Sequence, residues 1–532
     1  MSEVRWNRLA TVVLMGALVL PGAAPAGAQE PVDLEVVTRI REEGFQRSQV
    51  MDLLSYMTDV LGPRLTGSPN MRRAQRWAKA TLDSMGFTNS VIEPFGEAGV
   101  GWANTYTSLH LMAPDYQPLI GYPFAFTPGT NGKVAGPATL AVIRSRGDFD
   151  KFRGKLRGAI VLVAPPASVP LGETADAERF SDAALERMAA ATSGARFWSD
   201  GRAYEWNDQA KSFLPVGSSG GGGSFAVEML RFLKGEGVGV VLFPGPGRDG
   251  TVFVAGRPGS REDRSYAGVM SSPPLVALAA EHYNRIYRIL DRGVPARLEV
   301  EVRNTIDTSD TKGYNVLADW PGTDLADQLV MVGGHYDSWH AGTGATDDAA
   351  GVAVAIEAIR ILKAIGVKPR RTIRVGLWSY EEGGKVGSRA YVANHFGNER
   401  NPKPLHAKLA AYFNLDNGGG RVRGVYLQGN EFVRPIFAAW MAPFADLGMK
   451  TLTIDDAYGV DVVGFDLAGL PGFQFIQDPL DYDTRTHHSN MDVYDKLRPD
   501  DLRRNAVIMA SFLYHAAMRD QPLPRERWPV GR

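Results

Sequence analysis

From residue 298 onward short apolar runs alternate with amphipathic stretches, and that rhythm is the strongest constraint on the fold. The runs at 329–332, 372–378, 410–415 and 473–476 are strand-like. Strands separated by helices imply an α/β domain with a mostly parallel central sheet flanked by helices. In an open sheet of this kind, sites form beyond the carboxyl ends of the strands, so the residues just after these runs are the ones to read for chemistry. Upstream, helical periodicity covers about 34–61 and 71–85, with the Gly- and Pro-containing loop 63–69 between them. Between 118 and 295 short strands such as 139–143, 159–163 and 238–243 lie among Gly- and Pro-rich turns, the pattern of an inserted β-rich domain. The expected organisation is a signal peptide over 1–28, a first catalytic part over 29–117, the insert over 118–295 and a second catalytic part over 296–532. The Gly-rich patch 217–224 carries no phosphate-loop Lys and reads as a flexible loop.

Arg5 and Arg8 precede an apolar run over 9–20, and Ala26-Gly27-Ala28 closes the segment, as in an export signal. Cleavage near Ala28 and a secreted or periplasmic location are expected. The run is short of the roughly 20 residues that span a bilayer, so no permanent membrane anchor is expected. Lys+Arg at 58 against Asp+Glu at 59 gives a formal net charge of -1. With no basic surplus for a phosphate backbone, nucleic acid is excluded as a partner. Cys is 0, which excludes disulfides, thiolate nucleophiles and Cys-ligated zinc, so any metal must sit on His, Asp and Glu.

Five segments at predicted strand ends carry such residues. Gly333-Gly334-His335-Tyr336-Asp337 follows the first run: the glycines allow close backbone approach, His335 offers a neutral nitrogen and Asp337 can orient its ring. Gly344-Ala345-Thr346-Asp347-Asp348 opens an amphipathic stretch that stops near Gly366; either Asp347 or Asp348 alone would serve as a helix cap. Glu381-Glu382 follows the second run, and adjacent carboxylates suit one metal ligand beside one proton carrier. Asp416 follows the third, and His487-His488 lies in the segment ending at Asp492. Independent loops have no reason to place His, Asp, Glu, Asp and His on one sheet edge, so the combination points to a shared site.

These motifs resemble the dizinc exopeptidase family of bacterial leucyl aminopeptidase and glutamate carboxypeptidase. The Gly-Gly-His-x-Asp-Ser-Trp order, the doubled His487-His488 and the loop 63–69 are most similar to its plasma glutamate carboxypeptidase branch, and the β-rich segment is similar to a protease-associated domain. The resemblance implies that His335, Asp347, Glu382, Asp416 and His488 hold two zinc ions, with cobalt or manganese as substitutes. It implies that Asp347 bridges, that His335 and Asp416 complete one site, and that Glu382 and His488 complete the other. It also implies a cis peptide after the bridging Asp. The sequence departs from relatives at Ala349-Ala350, which leaves the ligands intact, and at Val460-Asp461-Val462, which puts any substrate role of that loop in doubt.

Two divalent ions sharing a bridge would acidify a water and polarise a scissile carbonyl. Glu381 would take the water's proton and deliver it to the departing amine. His487, His340 and Asp492 read as supporting or substrate-facing, and His110, His282, His395, His406 and His515 as ordinary residues. The expected activity is an exported exopeptidase on short peptides, from a free amino terminus that Asp461 or Asp492 could attract. The alternatives are a carboxypeptidase on the same scaffold, a glutaminyl cyclase, and a non-catalytic receptor-like binding protein, against which the intact Glu381 argues. Side-chain preference, native metal and a homodimer are left open by the motifs.

Overall fold

The computed structural model describes residues 30–192, 197–199, 202–207, 212–215, 223–258, 263–457 and 459–525. The expected signal peptide and residues 217–222 lie outside them. Two eight-stranded sheets organise the chain. The first runs in the order Thr88–Glu97, Lys312–Trp320, Arg371–Trp378, Leu325–His335, Leu409–Asn414, Gly472–Gln477, Val422–Tyr426, Thr451–Thr453. Its four central strands, from Arg371–Trp378 to Gly472–Gln477, are mutually parallel, and antiparallel neighbours flank them. Leu409–Asn414 and Gly472–Gln477 are buried at every position, and residues 409–413 accordingly read as a continuous apolar run without alternation.

Helices cover both faces of this sheet, giving the α/β class that the alternation implies. On one face, Ala350–Ala364 packs against Pro499–Met518; Val352, Ile356, Ile359, Val507 and Phe512 share one core with Val330 and Val375 of the sheet. Gly366, at φ 76°, follows the first of these helices where its stop was expected. On the other face Trp378, Tyr391, Tyr412 and Phe465 form a second aromatic core beneath the helix Val386–His395.

The second sheet contains Gly101–Ala113 and Arg297–Asp307, which pair with each other, so it reaches beyond the expected insert bounds 118–295 on both sides; it has its own core of Leu109, Leu162, Val240, Leu242, Val276 and Ile286. It leans on the first unit at one loop beyond the last strand. There Val254 N donates to His488 O (2.9 Å), Val252 N donates to Asn490 Oδ1 (2.7 Å), and Arg485 pairs with Asp176 (2.7 Å) and Asp249 (3.0 Å). A second junction is His340, whose Nε2 donates to Pro123 O at 2.6 Å and whose ring meets Trp102 edge-on. Among the described residues no helix is long and apolar enough to cross a membrane.

Candidate metal centre

His335 is the last residue of Leu325–His335, at the carboxyl edge of the central strands. The two glycines before it are sterically required: a Cβ on Gly333 would lie 1.8 Å from Gly376 O, and one on Gly334 would lie 2.3 Å from Asp348 Oδ2. His335 is buried, and its Nδ1 donates to the backbone carbonyl of Asp337 at 2.8 Å. With that tautomer, the Nε2 lone pair faces Asp347 Oδ1 at 3.1 Å and Asp416 Oδ1 at 3.6 Å. The ring is thus held by the main chain of Asp337, not by its carboxylate, which accepts from Thr66 Oγ1 (2.7 Å) and from Glu381 N (3.2 Å).

The turn after Gly344 separates the two adjacent aspartates. Asp347 reaches into the cluster, where its Oδ2 lies 3.3 Å from His488 Nε2 and 3.9 Å from His487 Nε2. Asp348 turns away and accepts from Gly351 N, in the first turn of the helix Ala350–Ala364, at 3.0 Å. The peptide between them is cis, as the resemblance implies. Asp492 supports this turn, taking Thr346 N (2.6 Å) and Thr346 Oγ1 (2.8 Å) on one oxygen.

Glu382 follows Arg371–Trp378, and its Oε2 lies 2.9 Å from His488 Nε2. Glu381 points elsewhere, with Oε1 3.3 Å from Lys385 Nζ. Burial opposes charge on that lysine, yet the Glu381 and Asp461 carboxylates raise its pKa. His488 stands at φ 62° on the loop that the second sheet supports, while His487 stacks on Tyr482 with its Nδ1 3.6 Å from Asp483 Oδ1. The structure therefore brings His335, Asp347, Glu382, Asp416 and His488 together, with Glu381 and Asp337 beside them.

Two residues the motifs did not single out hold this arrangement. Thr66 donates to Asp337 and accepts from Tyr380 N (2.9 Å), tying the Glu381 loop to the loop 63–69. Arg64, fully buried, donates to the carbonyls of Tyr336, Thr343 and Gly344, each at 2.8 Å, and so pins both segments that carry His335 and Asp347.

His335, Asp347 and Asp416 offer ligand atoms within 4.8 Å of one another, as do Asp347, His487 and His488, so Asp347 is common to two groups. The charge also fits a cation. Burial pushes Asp416 up to about 6 against the pull of His335, and although burial opposes it, the surrounding aspartates raise His335 well above its ordinary value. Glu382 Oε1 is buried with no hydrogen-bond partner among the described residues. Buried, incompletely paired carboxylates are costly unless positive charge is supplied. Oxygen and imidazole donors without sulfur suit zinc.

Residues 315–513, which contain all of these groups, match the model of Peptidase family M28. Over those residues the chain is similar to the M28 peptidases. Carboxypeptidase Q of Pongo abelii is 29% identical over 253 residues, 47% of this chain and 51% of the relative, so the chain spans about half the length of the curated relatives it matches at that identity. Carboxypeptidase Q of Bos taurus is 23% identical over 499 residues, 94% of this chain and 90% of the relative. The crystal structure of a Peptidase M28 precursor from Shewanella amazonensis superposes with a TM-score of 0.64 at 23% identity, covering 93% of this chain and 99% of that one. BSAP, a zinc aminopeptidase from Bacillus subtilis, superposes with a TM-score of 0.54 at 15% identity, covering 90% and 96%. The last two likenesses show that the chain shares the fold of these proteins.

Proposed function

We propose that the chain is a zinc-dependent exopeptidase that hydrolyses short peptides with a free amino terminus. The observation that carries this reading is Asp347, common to a group with His335 and Asp416 and to a group with His487 and His488, with Glu382 Oε2 2.9 Å from His488 Nε2 and Glu381 turned to Lys385. His335, Asp347 and Asp416 would hold one ion, and Asp347, Glu382 and His488 the other. When bound, a pair of divalent ions supplies a Lewis acid for the scissile carbonyl and lowers the pKa of a water.

The chain's own residues do the rest. Glu381 accepts a proton from the attacking water as its oxygen bonds to the carbonyl carbon, and passes it to the departing nitrogen as the C–N bond breaks. Glu381 N bonded to Asp337 and Thr66 bonded to Asp337 and Tyr380 fix where that carboxylate starts. The second sheet, read as a protease-associated insert, closes one side of the cleft and favours attack on chain ends. Export, suggested by residues 1–28, would bring the enzyme to peptides outside the cytoplasm.

The relatives named carboxypeptidase Q and the neighbour named a zinc aminopeptidase pull towards opposite ends of the substrate. The test compares one dipeptide with its N-acetyl form on metal-loaded enzyme, with bound metal counted by elemental analysis. We expect the acetylated form to be cleaved at least tenfold more slowly. Equal or faster cleavage of it would move the assignment to a carboxypeptidase, and no turnover of any peptide with full metal content would end the exopeptidase reading.

A further inference from the structure

Tyr380 stands where the chain leaves the strand Arg371–Trp378 and turns to present Glu381 and Glu382. It does so at φ 62°, a left-handed conformation that a bulky side chain keeps only where its surroundings over-determine it. Its main chain is fixed within the first unit: Tyr380 N donates to Thr66 Oγ1 at 2.9 Å, and Tyr380 O accepts from Val386 N at 3.0 Å. Its ring is met from the second unit. The Arg264 guanidinium carbon lies 3.9 Å from the centroid of the Tyr380 ring and 4.4 Å from that of Phe126, which follows the strand Gly121–Pro123 of the second sheet. All three side chains are buried, the setting in which a cation held against aromatic rings counts most.

The surroundings place this stack closely. Arg264 O accepts from Val100 N at 2.8 Å, and Gly99, at φ 84°, lets the backbone pass where a Cβ would lie 2.4 Å from Arg264 Cβ. At the other end a Cβ on Gly383 would lie 1.7 Å from Tyr380 Cε2 and 2.8 Å from Arg264 Nη2. The turn carrying both carboxylates therefore folds back onto the stacked pair. We propose that Arg264 is a positioning residue for Glu381: by stacking on Tyr380 it holds the strained turn in the arrangement from which the Glu381 carboxylate takes the proton of the attacking water. A residue of the second unit then acts on the proton path through a neighbouring ring. This rests on the exopeptidase reading above and adds a positioning residue to the same site.

The test compares metal-loaded full-length wild type with Arg264→Met, Arg264→Lys, Tyr380→Leu and Tyr380→Phe on Leu-Ala, with bound metal counted by elemental analysis. A buried contact of this kind biases the turn by roughly 10- to 30-fold, so kcat of Arg264→Met should fall by that factor while KM and metal content hold. Arg264→Lys keeps a cation and Tyr380→Phe keeps the ring, so each should recover most of the rate. Because Arg264 acts through Tyr380, joining Arg264→Met to Tyr380→Leu should lower kcat no further than either change alone. An unchanged kcat, a fall confined to KM, falls that multiply, or loss of metal would each overturn the proposal. Hydrogen exchange supplies a readout that needs no turnover. Glu381 N, bonded to Asp337 Oδ1, should exchange about tenfold faster in Arg264→Met, with residues 329–335 at wild-type rates. That result supports the clamp even where the exopeptidase reading fails. Unchanged exchange at 380–382, or acceleration throughout both sheets, overturns it. Tyr380→Leu carries both readouts where Arg264→Met fails to fold.

Discussion

The two halves of the candidate centre are built differently. His335 and Asp416 end or follow adjacent parallel strands, Leu325–His335 and Leu409–Asn414, and both are buried. Sheet hydrogen bonds and the core beneath them fix their backbone. Glu382 and His488 sit on loops, and His488, with a side chain 27% exposed, owes its main-chain anchor to Val254 of the other sheet. The first half is preorganised by the packing that folds the domain, whereas the second also depends on docking between two units. Loosening that junction should therefore act on the loop half and spare the strand half.

Asp347 belongs to both halves, so Asp347→Ala gives the largest effect. Both ions should be lost along with several orders of magnitude of activity, since metal affinity and site integrity are coupled. Elemental analysis finding two metals per chain in this variant would show that the halves do not share it. Glu381→Gln should separate chemistry from binding. Both metals stay, because neither half uses Glu381, while kcat falls by about 10²- to 10⁴-fold; near-normal kcat would remove Glu381 from the proton path.

The same contrast governs what could be read in the sequence. Strand-end acids and histidines were legible because an apolar run that stops in a polar residue marks a sheet edge, and the α/β class followed from the alternation. Adjacent Asp347 and Asp348 could not be told apart by residue type: both are acids before a helix, and only the turn after Gly344 sends one to the cluster and the other to Gly351 N. The partner of His335 was expected to be the Asp337 side chain, but the carbonyl two residues on is nearer to Nδ1. Arg64 and Thr66 escaped because the site segments they hold lie more than 270 residues away and are met through backbone atoms or an acid already assigned elsewhere. The support of His488 by Val254 is equally non-local, and a main-chain bond leaves no trace in residue types.

Acid should loosen the junction selectively. Burial pushes His340 down to about 4, against the raising effect of its bond to Pro123 O, so it is neutral when folded. A histidine depressed in this way contributes stability that is fully present above its unfolded value of about 6.5. That stability is lost as the pH falls from there towards 4, because the unfolded chain takes up the proton first. Between pH 7 and pH 5 this amounts to at most about 2 kcal/mol, because the ring is only partly buried. Denaturant unfolding of the wild type and His340→Phe at both pH values checks it. The variant should lack that part of the pH dependence, and identical slopes would show that the ring does not titrate across unfolding.

The smallest expected effect isolates the docking contact itself. Asn490 accepts from Val252 N at 2.7 Å and donates to Gly250 O at 3.2 Å through its side chain, two positions beyond His488. Asn490→Ala removes both bonds and leaves the N–H of buried Val252 without its acceptor, a cost of about 1–3 kcal/mol. Because the strand half is anchored separately, this cost should fall on the ion held by Glu382 and His488. Supporting groups around a metal ligand are worth about tenfold or more in affinity, so graded chelation should strip one ion from Asn490→Ala about tenfold more readily and leave the other at its wild-type affinity. Parallel loss of both ions would mean that the two halves are one mechanical unit and that the strand edge gives His335 and Asp416 no independent hold.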